Sequence, residues 1–131
     1  MSKMEDSRSK HGMFSWNELL TTDPAAAKEF YTQLFGWTTQ AWPMGDFDYT
    51  IVKAGEVDVG GIMPIPEMAK GMPPSWGAYV TVDDVDATAA KAEKLGGKII
   101  VAPKEIPTVG RFTVIQDPQG AVISAITYVK K

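Results

Sequence analysis

The stretch "DPAAAKEFYTQLFG", residues 23–36, marks both ends of one helix. Asp23 is a favourable N-cap, because its carboxylate can accept a hydrogen bond from a backbone N–H group of the first turn. Pro24 suits the first helical position, where its missing N–H group costs nothing. Gly36 suits the left-handed residue that commonly closes a helix. The stretch therefore predicts where a helix begins and ends, and it gives the strand before it, with "FSWNELL" at residues 14–20, a defined register.

The same pattern returns about 61 residues later in the chain. A strand that ends in aspartate again leads into a helix, "VDATAAKAEKLGG" at residues 85–97, so that Asp84 matches Asp23 and Gly97 matches Gly36. Three strands are predicted after the helix in each half. The sequence therefore predicts a tandem βαβββ repeat, in which the order of elements and the caps carry the signal.

The repeat defines the expected domain organisation. Residues 13–66 form the first module, and residues 75–131 form the second, in which a strand over residues 98–102 follows the helix. Residues 67–74 are rich in proline, glycine and methionine, and we expect them to link the two modules. Residues 1–12 are polar and charged, and they predict a flexible tail.

The composition argues against several classes of function. The 131 residues contain no cysteine, which removes disulfides, thiolate metal sites and cysteine nucleophiles together. The net charge is -3 and no basic stripe is present, so we expect no nucleic-acid partner. No apolar run approaches the roughly 18 residues of a membrane-spanning helix, and the polar N-terminus lacks the apolar core of a secretory signal. We therefore expect a cytoplasmic protein with no membrane partner.

The repeat, together with "TTDPAAAKEFYTQLFGW" at residues 21–37 and "IQDPQGAVISAI" at residues 115–126, resembles the vicinal oxygen chelate superfamily. That group contains glyoxalases, bleomycin-resistance proteins and extradiol dioxygenases. The segments "PPSWGAYVTVDDVDATAAKAEKLGG" and "IPTVGRFTVIQDPQGA" are most similar to glyoxalase-like domains of the culture-filtrate-antigen type. The resemblance implies an α+β fold in which both modules form one domain, a U-shaped, incomplete barrel of eight mixed strands with the helices outside. It also implies a homodimer, since single-domain members commonly pair.

In metal-dependent members, the resemblance implies one metal held by side chains of the first and fourth strands of each half. Carried onto this chain, these positions fall at Trp16, Gly60, Gly77 and Ser124, where a shift of one residue on the fourth strand would give Val59 or Gly61 in place of Gly60. Tryptophan and glycine side chains cannot bind a divalent metal, and a lone serine is a weak ligand. The only histidine, His11, precedes the first strand and is expected to be solvated. We therefore expect neither a metal site of the family type nor another cofactor.

Strand alternation predicts which side chains line the concave face of such a barrel. On the first strand, Trp16 can form an aromatic wall for a ligand, or it can fill the space that a metal and substrate occupy elsewhere. On the fourth strand, alternation places Asp58, Gly60 and Ile62 on the concave face, which they share with Trp16. In the second module, Val80 and Val82 back onto the helix. The candidate ligand-binding residues are Trp16, Glu18, Asp58, Tyr79, Arg111 and Ser124.

Glu18 is the one candidate for chemistry, and two interpretations of it stay open. Its carboxylate can act as a general base or as a recognition group for a ligand. Alternatively, it can pair with a nearby cation such as Arg111. The acidic residues Asp83, Asp84 and Asp86 form a cluster, and we predict that this cluster caps the second helix rather than binds a cation.

Three functions are compatible with these residues. The first is a metal-free protein that binds a small, partly aromatic molecule in the concave cavity. The second is a lyase, isomerase or dioxygenase, either with a relocated metal or without a metal and with Glu18 as the base. The third is a module that binds a partner protein.

Overall fold

The computed structural model of the protein describes residues 9–44 and 48–129. Within these residues, eight strands and two helices follow the predicted tandem βαβββ order, so the fold is α+β. The expected tail lies outside the described residues as far as residue 8. The first half contains β1 (Phe14–Thr21), α1 (Pro24–Phe35), β2 (Thr38–Pro43), β3 (Asp48–Ala54) and β4 (Val57–Pro64). The second half contains β5 (Ser75–Thr81), α2 (Val85–Lys94), β6 (Lys98–Ile106), β7 (Gly110–Gln116) and β8 (Val122–Tyr128), and a short 3₁₀ helix at Glu67–Ala69 precedes it.

Both helices begin at the aspartates that the sequence predicts as caps. The Asp23 carboxylate accepts a hydrogen bond from the Ala26 N–H group at 3.0 Å. The Asp84 carboxylate accepts the corresponding bond from Ala87 at 3.1 Å. Gly36 adopts φ of 72°, a left-handed conformation that glycine reaches without a steric penalty. These local bonds explain why short sequence signals were enough to place the helices.

The stretch Trp16–Gly77 is one compact unit, in which the strand order is β2-β3-β4-β1. Strand β1 runs parallel to β4, and the other neighbours are antiparallel. One face of these strands packs against α1. Its buried centre is Leu19, Val52 and Ile62, and the partly buried residues Ala27, Tyr31, Trp37 and Val59 pack around it.

The second unit joins Ala78–Lys131 to the chain before Trp16, as far as these segments are described. Its strand order is β5-β8-β7-β6, with β5 parallel to β8. Val82, Val85 and Ala125 form the core beneath α2, with Val80 and Ile115 packed against them. The prediction that Val80 and Val82 face the helix is therefore confirmed. Backbone hydrogen bonds also connect the segment before β1 to the end of β5.

Strand β6 is longer than the sequence predicts. It continues to Ile106, beyond the predicted end at Ala102. The pairing with β7 shifts register on both sides of Val101, so the strand bulges where the proline lies. A proline is tolerated there because a bulge leaves one residue out of the hydrogen-bond ladder. Neither helix of the described residues has the length and apolar run that a membrane crossing requires.

Candidate functional site

A row of hydrogen-bonded side chains lies on the face of β1, β3 and β4 that is opposite to α1. The Trp16 indole Nε1 donates to the Tyr49 hydroxyl at 2.9 Å, and this hydroxyl donates to Glu18 Oε1 at 2.8 Å. An indole N–H group can only donate, so the Tyr49 oxygen accepts from Trp16 and its own hydrogen points to the Glu18 carboxylate. All three side chains are half-buried. We call them the Trp16–Tyr49–Glu18 row, and the face that carries them the site face.

Tyr49 reaches this position because β4 has no side chain at Gly61. The β1–β4 register places Gly61 beside Glu18, and Gly61 is buried. A Cβ atom at Gly61 would overlap the Tyr49 hydroxyl and the adjoining ring carbons. The phenol therefore occupies the volume that any larger residue at this position would need.

Strand β4 departs from the alternation that the sequence predicts. Val52 lies opposite Gly60, but the next residue of β3 lies opposite Asp58, so Val59 is the extra residue of a β-bulge. Gly60 and Ile62 consequently belong to the face that α1 covers, where Ile62 is only 1% exposed. The prediction that both share the face of Trp16 is wrong, since a bulge shifts the alternation by one residue.

Asp58 lies beyond the bulge and therefore does share the site face. It is opposite Lys53, whose ammonium group donates to the Asp58 carboxylate at 2.5 Å. Both side chains are partly exposed, so the pair adds little to stability. Its effect at the site is electrostatic, because the ammonium group and the carboxylate neutralise one another at one end of the face.

The second unit holds two of the predicted candidates on neighbouring strands. Tyr79 of β5 lies opposite Ser124 of β8, and Tyr79 is 8% exposed. The Tyr79 ring packs beside Phe112 with a centroid separation of 6.5 Å. Tyr79 and Ser124 are next in sequence to Val80 and Ala125, which pack in the core against α2, so they lie on the opposite face of β5 and β8, as the sequence predicts.

Arg111 is engaged at the surface of the same unit. Its guanidinium makes two hydrogen bonds to the Asp86 carboxylate, at 2.8 and 2.9 Å, and a longer one to Glu105 at 3.3 Å. The hydrogen bonds from Arg111 lower the pKa of Asp86, and the same bonds raise the pKa of Arg111. Arg111 therefore bonds to two carboxylates of its own unit, and Glu18 accepts a hydrogen bond from Tyr49.

The residues at the family's metal positions do not fit a divalent metal. The Trp16 nitrogen carries a hydrogen and donates it, and Gly60 and Gly77 have no side chain. Among residues 9–44 and 48–129, no three histidine or acidic side chains converge as metal ligands. His11, which we expected to be solvated, is 57% exposed and accepts a hydrogen bond from the Asp83 N–H group at 2.9 Å.

Sequence reasoning missed Tyr49 and Lys53 as residues of the site face, and it expected Gly61 only as a position that leaves room in the cavity, not as the residue that admits Tyr49. An aromatic residue of β3 and a glycine of β4 that share a face could have indicated the contact. The pairing that joins them depends on the bulge, however, and no local pattern in the sequence marks its position.

Comparison with known proteins agrees with this architecture. Residues 13–124 match the family model of the Glyoxalase/Bleomycin resistance protein/Dioxygenase superfamily. CFP32 of Mycobacterium tuberculosis, provisionally named a glyoxylase, is 46% identical over 116 residues, which are 88% of this chain and 44% of that protein. DnrV of Streptomyces peucetius, an anthracycline biosynthesis protein, is 33% identical over 126 residues, which are 86% of this chain and 46% of that protein. The chain thus spans less than half the length of either relative.

Solved structures share the fold at low sequence identity. Methylmalonyl-CoA epimerase from Mycobacterium tuberculosis superimposes with a TM-score of 0.67 and 15% identity, over 91% of this chain and 89% of the epimerase. A methylmalonyl-CoA epimerase in complex with methylmalonyl-CoA gives a TM-score of 0.63 at 16% identity. Likeness at this level concerns the fold alone. The family match over residues 13–124 goes further: the chain belongs to the Glyoxalase/Bleomycin resistance protein/Dioxygenase superfamily.

Proposed function

We propose that this chain binds a small molecule with a flat, apolar part on the site face, without a metal at the family's positions. The observation that supports this proposal is the Trp16–Tyr49–Glu18 row. An indole ring offers a surface on which a flat ligand can stack, and a carboxylate held in one orientation offers an acceptor for the ligand's polar group. Such a mixture of apolar area and a few placed polar groups is typical of ligand sites.

The two faces of the same strands support a role beyond folding. The face against α1 is apolar and buried at Leu19, Val52 and Ile62, as a core requires. The opposite face carries an ordered row of one indole, one phenol and one carboxylate. Fixing side chains in one orientation costs conformational entropy. Solubility alone does not require a surface to have side chains that are fixed in this way. A binding surface benefits from this order, because the ligand then loses less free energy to ordering the protein.

Two ligand probes follow from the names of related proteins. DnrV takes part in anthracycline biosynthesis by name, and an anthracycline is a flat aromatic molecule that can stack on Trp16. Methylmalonyl-CoA is bound by an epimerase of the same fold and represents a ligand without a fused aromatic ring system in its acyl part. We expect the anthracycline to bind more tightly, since its fused rings offer more apolar area for stacking on the indole than the adenine of coenzyme A does.

The test is a titration of each probe into the protein and four variants. Trp16→Leu and Glu18→Gln alter the row, whereas Trp76→Leu and Glu93→Gln change the same residue types at exposed positions away from the site face. We expect saturable anthracycline binding that weakens in the first two variants and is unchanged in the controls. Equal binding by all five proteins would contradict the proposed site. A stoichiometric divalent ion, found by metal analysis of protein purified without chelators and lost in the Trp16 variant, would contradict the metal-free part.

A second candidate function is catalysis with Glu18 as the base. The Tyr49 hydroxyl supports it, because its hydrogen bond to Oε1 at 2.8 Å helps to hold the Glu18 carboxylate in one orientation. A base must be placed within hydrogen-bond reach of the proton that it removes. Glu18→Gln would then abolish turnover of a substrate that it still binds. Turnover unaffected by this change would remove Glu18 from the mechanism.

We also propose that the chain pairs with a second copy of itself through α1. Phe30, Leu34 and Phe35 lie on this helix with between 56% and 58% of their surface exposed. Large apolar groups that cluster on a surface commonly mark an interface. Sedimentation should show a dimer that Phe30→Glu dissociates and that Leu95→Glu, at an exposed leucine beyond α2, leaves intact. A monomer at every concentration would contradict this proposal.

A further inference from the structure

Tyr49 of β3 forms hydrogen bonds with both Trp16 and Glu18 of β1, and so it bridges the two candidate residues of that strand. We infer that Tyr49 is the positioning residue of the site face, and that Gly61 is the residue that permits it to act. This inference rests on the proposed binding function. It adds a residue that neither the family's ligand positions nor the sequence candidates contain.

The row needs a side chain between Trp16 and Glu18 in which a single atom can both accept one hydrogen bond and donate another. The Tyr49 oxygen accepts from Trp16 at 2.9 Å and donates to Glu18 at 2.8 Å. A phenylalanine at this position would fill the same volume and could do neither. Tyr49→Phe therefore removes the bridge while it leaves the packing of the ring in place.

Gly61 controls the same bridge by volume alone. The three atoms that a Cβ atom there would approach most closely all belong to the end of the Tyr49 side chain. Gly61→Ala therefore acts on the row first through the phenol, which it displaces. Displacement of the phenol lengthens or breaks its bonds to Trp16 and Glu18, so we expect the substitution at Gly61 to weaken the row as Tyr49→Phe does.

The expected effect on binding follows from the loss of orientation. A net hydrogen bond contributes about 0.5–1.5 kcal/mol, so the loss of one positioning bond weakens binding by about twofold to tenfold. Both Tyr49→Phe and Gly61→Ala should weaken anthracycline binding to this extent, although neither removes the indole or the carboxylate.

The chain contains a matched control for the bridge. The Trp76 indole donates to the Tyr31 hydroxyl at 3.1 Å, which is a second indole–phenol hydrogen bond in the same unit. Tyr31→Phe removes this bond and leaves the row unchanged. The readout is the indole N–H resonance of each tryptophan in a proton–nitrogen correlation spectrum, assigned with the variants Trp16→Phe and Trp76→Phe.

We expect the Trp16 resonance to move upfield in Tyr49→Phe and in Gly61→Ala, and the Trp76 resonance to move only in Tyr31→Phe. Anthracycline binding should weaken in the first two variants and be unchanged in the third. A Trp16 resonance that stays in place in Tyr49→Phe would overturn the bridge. A resonance that moves with no change in binding would overturn the positioning role.

A steric rescue separates displacement of Tyr49 from general damage to β4. Gly61→Ala should lower the urea midpoint in the chain with Tyr49 and have little effect in the Tyr49→Ala chain, where no ring remains to be displaced. An equal loss in both backgrounds would overturn the role of Gly61. If the unaltered protein does not bind the anthracycline, the proposed function fails for this ligand class, and the resonances and the rescue still decide the bridge.

Discussion

Gly60 and Gly77 were both expected at metal-ligand positions, but the structure gives them different reasons to be glycine. A Cβ atom on Gly60 would lie 2.6 Å from the Asn17 carbonyl oxygen, whereas ordinary contact begins at 3.4 Å. A Cβ atom on Gly77 would have its nearest neighbour, the Glu18 carbonyl oxygen, at 4.0 Å. Neither glycine has a positive φ, so backbone conformation does not decide the outcome. Gly60→Ala should therefore destabilise the protein and Gly77→Ala should not.

The magnitude follows from the atom that Gly60→Ala would meet. The Asn17 oxygen belongs to the backbone of β1, so relief requires β1 and β4 to separate where they pair in parallel. Overpacking of this kind costs about 1–3 kcal/mol. The loss of glycine flexibility in the unfolded chain returns about 0.4–1 kcal/mol to either variant. We expect a net loss of about 1–2 kcal/mol for Gly60→Ala and a small gain for Gly77→Ala.

Urea unfolding of the two variants beside the unaltered protein measures this difference. For an m value of about 2 kcal/mol/M, Gly60→Ala lowers the midpoint by about 0.5–1 M, and Gly77→Ala raises it by about half as much or less. Unchanged m values would show that the midpoints report stability. Equal shifts for both variants would refute the argument, because the close approach of β1 would then not be the reason for glycine at position 60.

Three further predictions concern the cores and the surface ion pair. Ile62→Ala removes a side chain that is 1% exposed and should cost about 2–5 kcal/mol in urea unfolding; a loss below about 1 kcal/mol would contradict its place in the core. Thr113→Val removes the buried hydroxyl that donates to the Val101 carbonyl at 2.6 Å and should cost about 1–3 kcal/mol; a more stable variant would contradict that bond. Arg111 lowers the pKa of Asp86 in the folded state, so its contribution to stability is present above the ordinary aspartate value of 3.8 and is lost as the pH falls through the lower folded value. Asp86→Asn should therefore lower the melting temperature at pH 7 and have less effect near pH 2, and a difference that is the same at both pH values would argue against this ion pair.

The order of elements could be predicted because its signals are local. The caps at Asp23 and Asp84 bond to N–H groups three residues away, so the residues that define each helix lie together in the sequence. Their recurrence then identified the repeat, and with it the family. The facing of Val80 and Val82 followed from the period of an uninterrupted strand.

The composition of the site face could not be predicted in the same way. The bulge at Val59 depends on how β3 pairs with β4, and it reverses the expected facing of Gly60 and Ile62. The contact between Trp16 and Tyr49 joins residues that are 33 positions apart. Such contacts are selected by the tertiary pairing of strands, which single-sequence patterns do not specify.

The helix that made the fold recognisable is also held less firmly than its repeat. None of the twelve residues of α1 is buried, whereas α2 buries Val85 and Ala89. The free energy of local opening depends on the apolar contacts that each segment must break. Backbone amides of α1 should therefore exchange with deuterated solvent before those of α2, although both helices have the same kind of cap. The first module consequently has an element that can detach from its sheet while β1 and β4 stay paired, so its thermal fluctuations are expected to be larger than those of the second.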